Sequence, residues 1–169
     1  MSTTAPSPAN PPVKTSKVQG RRELHFANLD EMLADAEMLA AAPRVKQLGN
    51  WTLGQALGHL ANAMDMAVDG AKIRPPWLIG LMGRMFKKQV LKKMGPGYNL
   101  PPNVAKDLIP LPSLTTVEGI VMFRTGVRRL KATPDRAPSP FLGRLTREES
   151  DRLQCSHAEL HLSFFVANA

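Results

Sequence analysis

Ser156-His157-Ala158-Glu159-Leu160-His161-Leu162-Ser163-Phe164-Phe165 places two imidazoles four residues apart close to the end of the chain. On a helix that spacing puts both on one face, one turn apart. Leu153, Leu160 and Phe164 fall on the same side, so the histidines are interleaved with core positions. Leu145-Thr146-Arg147-Glu148-Glu149 supplies a start for this helix, with Thr146 and Glu149 in capping-box register. The reading that follows is a bundle whose last helix carries a pair of candidate metal ligands.

Three further helices begin in comparable ways. Asn28 with Glu31 opens the first, followed by an apolar stripe through Leu29, Met32, Leu33, Ala36, Leu39 and Ala40 up to Pro43. Thr52 with Gln55 opens the second, with Leu53, Leu57, Leu60, Met64 and Val68 as its core stripe and Gly70 as its end. His59 lies on a neighbouring face beside Gln55, Ala56, Asn62, Ala63 and Met66, where small residues leave room next to an imidazole. Thr115 with Glu118 opens the third, with Val117, Ile120, Val121, Val127 and Leu130 in one stripe and Phe123 beside it. Strand-like alternation is absent from this reading, which makes the fold class all-α: a four-helix bundle.

Between the second and third of these helices lies an insertion. Trp77 to Phe86 with the lysine-rich end that follows, through Lys93, reads as an extra helix, apolar early and basic late, which packs on the bundle, forms a subunit contact or lies on a membrane surface, with Arg84 to Lys93 facing an anionic partner in that last case. Residues 95–112 are rich in Gly and Pro and read as a long crossover loop, with Tyr98 and Asn99 as its polar handles. Residues 1–20 are rich in Pro, Ser, Thr and Lys and are expected to be a disordered arm, leaving 21–169 as one bundle domain.

Composition narrows the function classes. The net charge of +8 and pI near 10.1 allow anionic partners, but no nucleic-acid motif or aromatic platform accompanies the basic clusters, so no nucleic acid is expected. The longest apolar run, Trp77 to Gly83, is too short to cross a bilayer, so no transmembrane segment is expected. A single cysteine, Cys155, excludes an internal disulfide, and its spacing from His157 favours a buried thiol over a nucleophile. With no signal-peptide core at the N-terminus, a cytoplasmic location is expected. Low aromatic content and the apolar inserted helix are consistent with a homodimer.

His59, His157 and His161 could meet as three imidazole ligands that leave a coordination position for substrate or water. Three separate histidines, each satisfied by a hydrogen bond, explain the residues equally well. The run is His-Ala-Glu-Leu-His, without the metalloprotease His-Glu-x-x-His order, and Glu159 sits off the face of the pair, where a solvent-facing or supporting role is expected. His25 is expected at the surface or in packing.

Taken together, Asn50-Trp51-Thr52-Leu53-Gly54-Gln55, His59-Leu60-Ala61, Phe141-Leu142-Gly143-Arg144-Leu145-Thr146-Arg147-Glu148-Glu149 and His157 to Phe164 resemble a bacterial branch of unknown function among the DinB-like metalloenzymes, from Val18 to the C-terminus. The resemblance implies a four-helix bundle with one long crossover, in which His59, His157 and His161 bind a divalent metal. Zinc or nickel are the first choices, iron or manganese the alternatives. Where relatives often read His-Pro, this chain has Ser139-Pro140, so a role of that histidine is lost here or passes to Ser139.

The expected function is a metal-dependent enzyme acting on an unknown small molecule by thiol-dependent transferase or hydrolase chemistry, with Gln55, Asn62, Tyr98 and Ser139 as candidate pocket residues. The alternative is a non-catalytic small-molecule-binding or interaction bundle whose histidines are structural.

Overall fold

A computed structural model describes residues 12–73, 76–97 and 113–168. Among these, the helices are α1 (Leu29–Ala41), α2 (Leu53–Asp69), α3 (Trp77–Met85), α4 (Lys87–Lys92), α5 (Thr116–Ala132) and α6 (Arg147–Leu162). Two short strands, β1 (Arg44–Gln47) and β2 (Phe165–Asn168), complete the fold. Tyr98, Asn99 and most of the 95–112 loop lie outside the described residues, as do residues 1–11 of the expected arm. Val13 exchanges two hydrogen bonds with Asn50 ahead of a short turn at Thr15–Lys17.

The four expected bundle helices are present, and so are their caps. Asn28 accepts hydrogen bonds from the amides of Asp30 and Glu31. Thr52/Gln55, Thr115/Glu118 and Thr146/Glu149 each form the full reciprocal box. Each cap satisfies backbone donors that the first helical turn leaves unpaired.

Helices α2 and α5 form the closest pair, and they run parallel. Gly54 approaches Leu114 and Thr115, Gly119 approaches Gly54, and Gly126 lies against Met64. Helix α1 runs antiparallel to α5, with Asp30 on Lys131 and Glu37 on Arg124. Two parallel neighbours cannot be joined by a tight turn, so the chain between α2 and α5 must travel back along the bundle. That connection carries α3 and α4.

The core stripe of α5 differs from its expected register. Val117 and Val121 are 73% and 54% exposed, whereas Phe123, set beside the stripe on hydropathy, is completely buried. The inward face is Gly119, Ile120, Phe123, Gly126, Val127 and Leu130. Backbone-to-backbone packing against α2 selects this face, and glycine is invisible to a hydrophobic count. A Cβ on Gly119 would stand 2.6 Å from the Gly54 carbonyl oxygen and 3.0 Å from its Cα. Helix propensity alone would make Gly119→Ala stabilising by about 1 kcal/mol. The clash reverses the sign, and we expect a loss of about 1–3 kcal/mol in urea unfolding. Gly80→Ala is the control: a Cβ there meets nothing within 4 Å, so a gain of about 0.5–1 kcal/mol is expected.

The helical bundle also carries one small two-stranded sheet. Strand β1 pairs antiparallel with β2, Arg44 facing Asn168 and Gln47 facing Phe165. Consequently the last helix stops at Leu162, and Phe165 starts a strand where a helix was expected. The expected inserted helix also breaks in two at Phe86.

Candidate metal centre

The sheet explains how the site is assembled. Helix α6 runs antiparallel to α2, so its end meets the beginning of α2. Strand β2 follows α6 and pairs with β1, and the Leu48 amide donates to the Phe164 carbonyl at 2.9 Å. This stitches residues 48–52, just ahead of α2, to the last turn of α6. Trp51 is thereby laid on His161, with ring centroids 5.0 Å apart and planes within 9° of parallel.

His59, on the second turn of α2, reaches the same point. The ring nitrogens of His59, His157 and His161 lie within 4.8 Å of one another. Nε2 of His59 is 3.0 Å from Nε2 of His157. The three ring centroids are 4.7–4.9 Å apart, with planes at 64–79° to each other, so the rings form a pinwheel. Trp51 also meets His59 at 4.8 Å and closes one side of the cluster.

The electrostatics keep the His157 and His161 rings neutral. Burial, and then repulsion by His59, pushes the His157 pKa down to about 3. Burial also holds His161 well below the ordinary range, with further depression from His157, His59 and the Arg21 guanidinium. Arg21 is anchored at the end of α6 by Leu160 O and Ser163 Oγ and lies 4.2 Å over the Phe164 ring. A neutral imidazole is the form that binds metal.

The donor set fits a divalent ion. Nitrogens bound at about 2.0–2.1 Å around a tetrahedral centre are about 3.3 Å apart. The observed spacing of 3.0 Å for one pair and at most 4.8 Å for the others brackets that value, so modest side-chain rotation closes the set.

Of the remaining expected pocket residues, Gln55, Asn62 and Ser139 are among the described ones. Gln55 accepts the Thr52 amide and so completes the cap one turn before His59. Asn62 is exposed. Ser139 Oγ accepts from the amides of Phe141 and Leu142, and its backbone bridges Gly143, so it shapes a turn. Tyr98 lies outside the described residues. Glu159, where solvent exposure was one expectation, is buried and paired with Arg152 at 2.5 Å. His25 is exposed, with Nδ1 3.6 Å from Glu159.

Trp51 was quoted in a motif but not expected at the site. Its position one residue before the Thr52 cap was the available signal.

Cys155 is buried, and desolvation raises its thiol to about 11. A group so shifted carries almost no thiolate near neutrality. Iodoacetamide is therefore expected to leave the folded protein unmodified under conditions that alkylate the denatured chain completely, as read by intact mass.

No helix among the described residues is long and apolar enough to cross a membrane. The model of a family described as a protein of unknown function (DUF1569) matches residues 18–168. No curated protein and no solved structure matches the chain.

Proposed function

Because the chain belongs to the DUF1569 family, which carries no known function, we propose its function from the histidine site: a divalent-metal-dependent enzyme acting on a small molecule. The observation that carries this reading is the convergence of three imidazoles from two helices onto one point. We propose that the chain belongs among the DinB-like metalloenzymes, a reading supported by its motifs and by its parallel α2/α5 crossover bundle.

His59, His157 and His161 would hold the ion, zinc or nickel first and iron or manganese otherwise, since imidazole suits all of them. Bound there, it would supply Lewis acidity toward a substrate donor such as a thiol or a carbonyl, in transferase or hydrolase chemistry. The chain's own residues do the rest. Trp51 fixes the His161 ring by stacking and covers one side of the cluster. The Arg21 charge disfavours protonation of His161.

A second reading rests on the 3.0 Å contact between His59 and His157. Rings that hydrogen-bond and pack on one another are satisfied without an ion. The bundle would then be a non-catalytic small-molecule-binding or interaction protein.

Metal content separates the two. Untagged protein, analysed by plasma mass spectrometry, is expected to hold close to one equivalent of metal, and a folded His59→Ala/His157→Ala variant almost none. Absence of metal after incubation with zinc, nickel, iron and manganese salts would leave the second reading standing.

A further inference from the structure

Helix α3 presents an apolar face that nothing among the described residues covers. Trp77, Leu81 and Met85 repeat at four-residue spacing, and Leu78, Met82 and Phe86 repeat beside them. All six are exposed, from 46% at Leu81 to 79% at Trp77. A double row of that spacing is one continuous stripe on a helix. The other side of α3 is fixed: a Cβ on Gly83 would meet the Phe141 carbonyl oxygen at 2.2 Å. Helix α4 is fixed too, through Lys87 on Glu149, Ser156 Oγ on Val90 O and Arg152 on Leu91 O. The stripe therefore faces outward.

Charge says what it faces. From Gly70 to Lys106 the chain contains eight of its 22 Lys and Arg and not one Asp or Glu. The fourteen Lys and Arg elsewhere equal the 14 Asp and Glu, so this one segment carries the whole net charge of +8. Arg84, Lys88, Lys92 and Lys93 are exposed around or just beyond the stripe. A second copy docked stripe to stripe would bring two such uncompensated segments together. A nucleic acid would satisfy the cations but leave the Trp, Leu, Met and Phe side chains in water. An anionic bilayer accommodates both, with apolar side chains in the acyl boundary, an aromatic at headgroup level and cations on lipid phosphates.

We propose that α3 and α4 form a ledge that docks the protein on anionic membrane surfaces, with the Trp77–Phe86 stripe inserted at the headgroup boundary. The histidine site has no part in this docking.

The test is co-sedimentation with vesicles of phosphatidylcholine alone or of equimolar phosphatidylcholine and phosphatidylglycerol. Anionic vesicles are expected to bind at least about tenfold more tightly, less so as salt rises. Trp77→Glu/Met85→Glu is expected to lose about tenfold or more of that affinity, since it removes two of the most exposed apolar groups and adds like charge to the lipid. Both residues are exposed, so the variant should fold, as checked by circular dichroism. In a Trp51→Phe background, the Trp77 emission should shift to the blue on adding anionic vesicles.

Three results would overturn the proposal. One is equal binding to both vesicle types. Another is binding to vesicles or to DNA that the double substitution leaves intact, which would mark a basic surface only. The third is a concentration-dependent dimer, seen by analytical ultracentrifugation, that the same substitution dissociates while vesicles fail to bind.

Discussion

Zinc at about a hundredfold excess over its dissociation constant is expected to raise the melting temperature by roughly 5–10 °C, through preferential binding to the folded chain. The unfolded chain holds His59 and His157 98 residues apart and offers no preformed site. His59→Ala, His157→Ala or His161→Ala should each abolish the shift. Loss of even a supporting partner of a metal ligand costs about 10–100-fold in affinity, and loss of one of three ligands should cost more than about 100-fold.

The pH dependence distinguishes this cluster from adventitious histidines. A surface imidazole near its ordinary pKa of about 6.5 loses metal to protons as the pH falls through that value. His157, depressed to about 3, and His161, depressed in the same direction, stay neutral well below it. The melting shift should therefore survive at about pH 6, where a solvent-exposed site would be half protonated. For metal-free protein the sign is the opposite of protective. The unfolded chain takes up protons below about 6.5 that the folded His157 refuses, so stability is full above that pH and is lost as the pH falls toward 3. Differential scanning fluorimetry across this range, with and without zinc, reads both effects.

Much of the fold was legible because it is written in local chemistry. A capping residue and its partner three positions on mark a helix start whatever the tertiary context, and all four starts were found at Asn28, Thr52, Thr115 and Thr146. The His157/His161 pair was legible for the same reason, since one helix fixes their relation. What joined His59 to them was the antiparallel packing of α2 on α6, for which the sequence offered only the small residues beside His59 and the family-like motifs.

The sheet was not legible. Arg44-Val45-Lys46-Gln47 has neither length nor alternation, and its partner begins 118 residues later, directly after a helical pattern. The register of α5 was missed because glycines, not apolar side chains, set its contact with α2.

For Glu159 the sequence left a solvent-facing and a supporting role open; the residue is buried, and its removal should be the most damaging single change outside the metal site. Its Oε1 accepts from Arg152 Nη2 at 2.5 Å and from the Phe26 amide at 2.8 Å. Arg152 continues to Phe26 O at 2.5 Å and to Leu91 O at 3.0 Å. The pair thus ties α6 to the segment entering α1 and to the end of α4. The signal was present: Arg152 and Glu159 are seven residues apart, two turns along one face.

Glu159→Ala strands a partly buried guanidinium and a buried amide together. Breaking one side of such a pair costs about 3–5 kcal/mol, or roughly 6–20 °C in melting temperature for a chain of this size. Arg152→Met/Glu159→Leu removes the stranded charge and should recover part of the loss. Recovery stays incomplete, because the Phe26 amide and carbonyl and the Leu91 carbonyl still lose their partners. A double-mutant cycle by urea denaturation measures the coupling. Additive losses would mean that Arg152 and Glu159 act independently, and that the entry segment is held by the apolar burial of Phe26 and Leu29 instead.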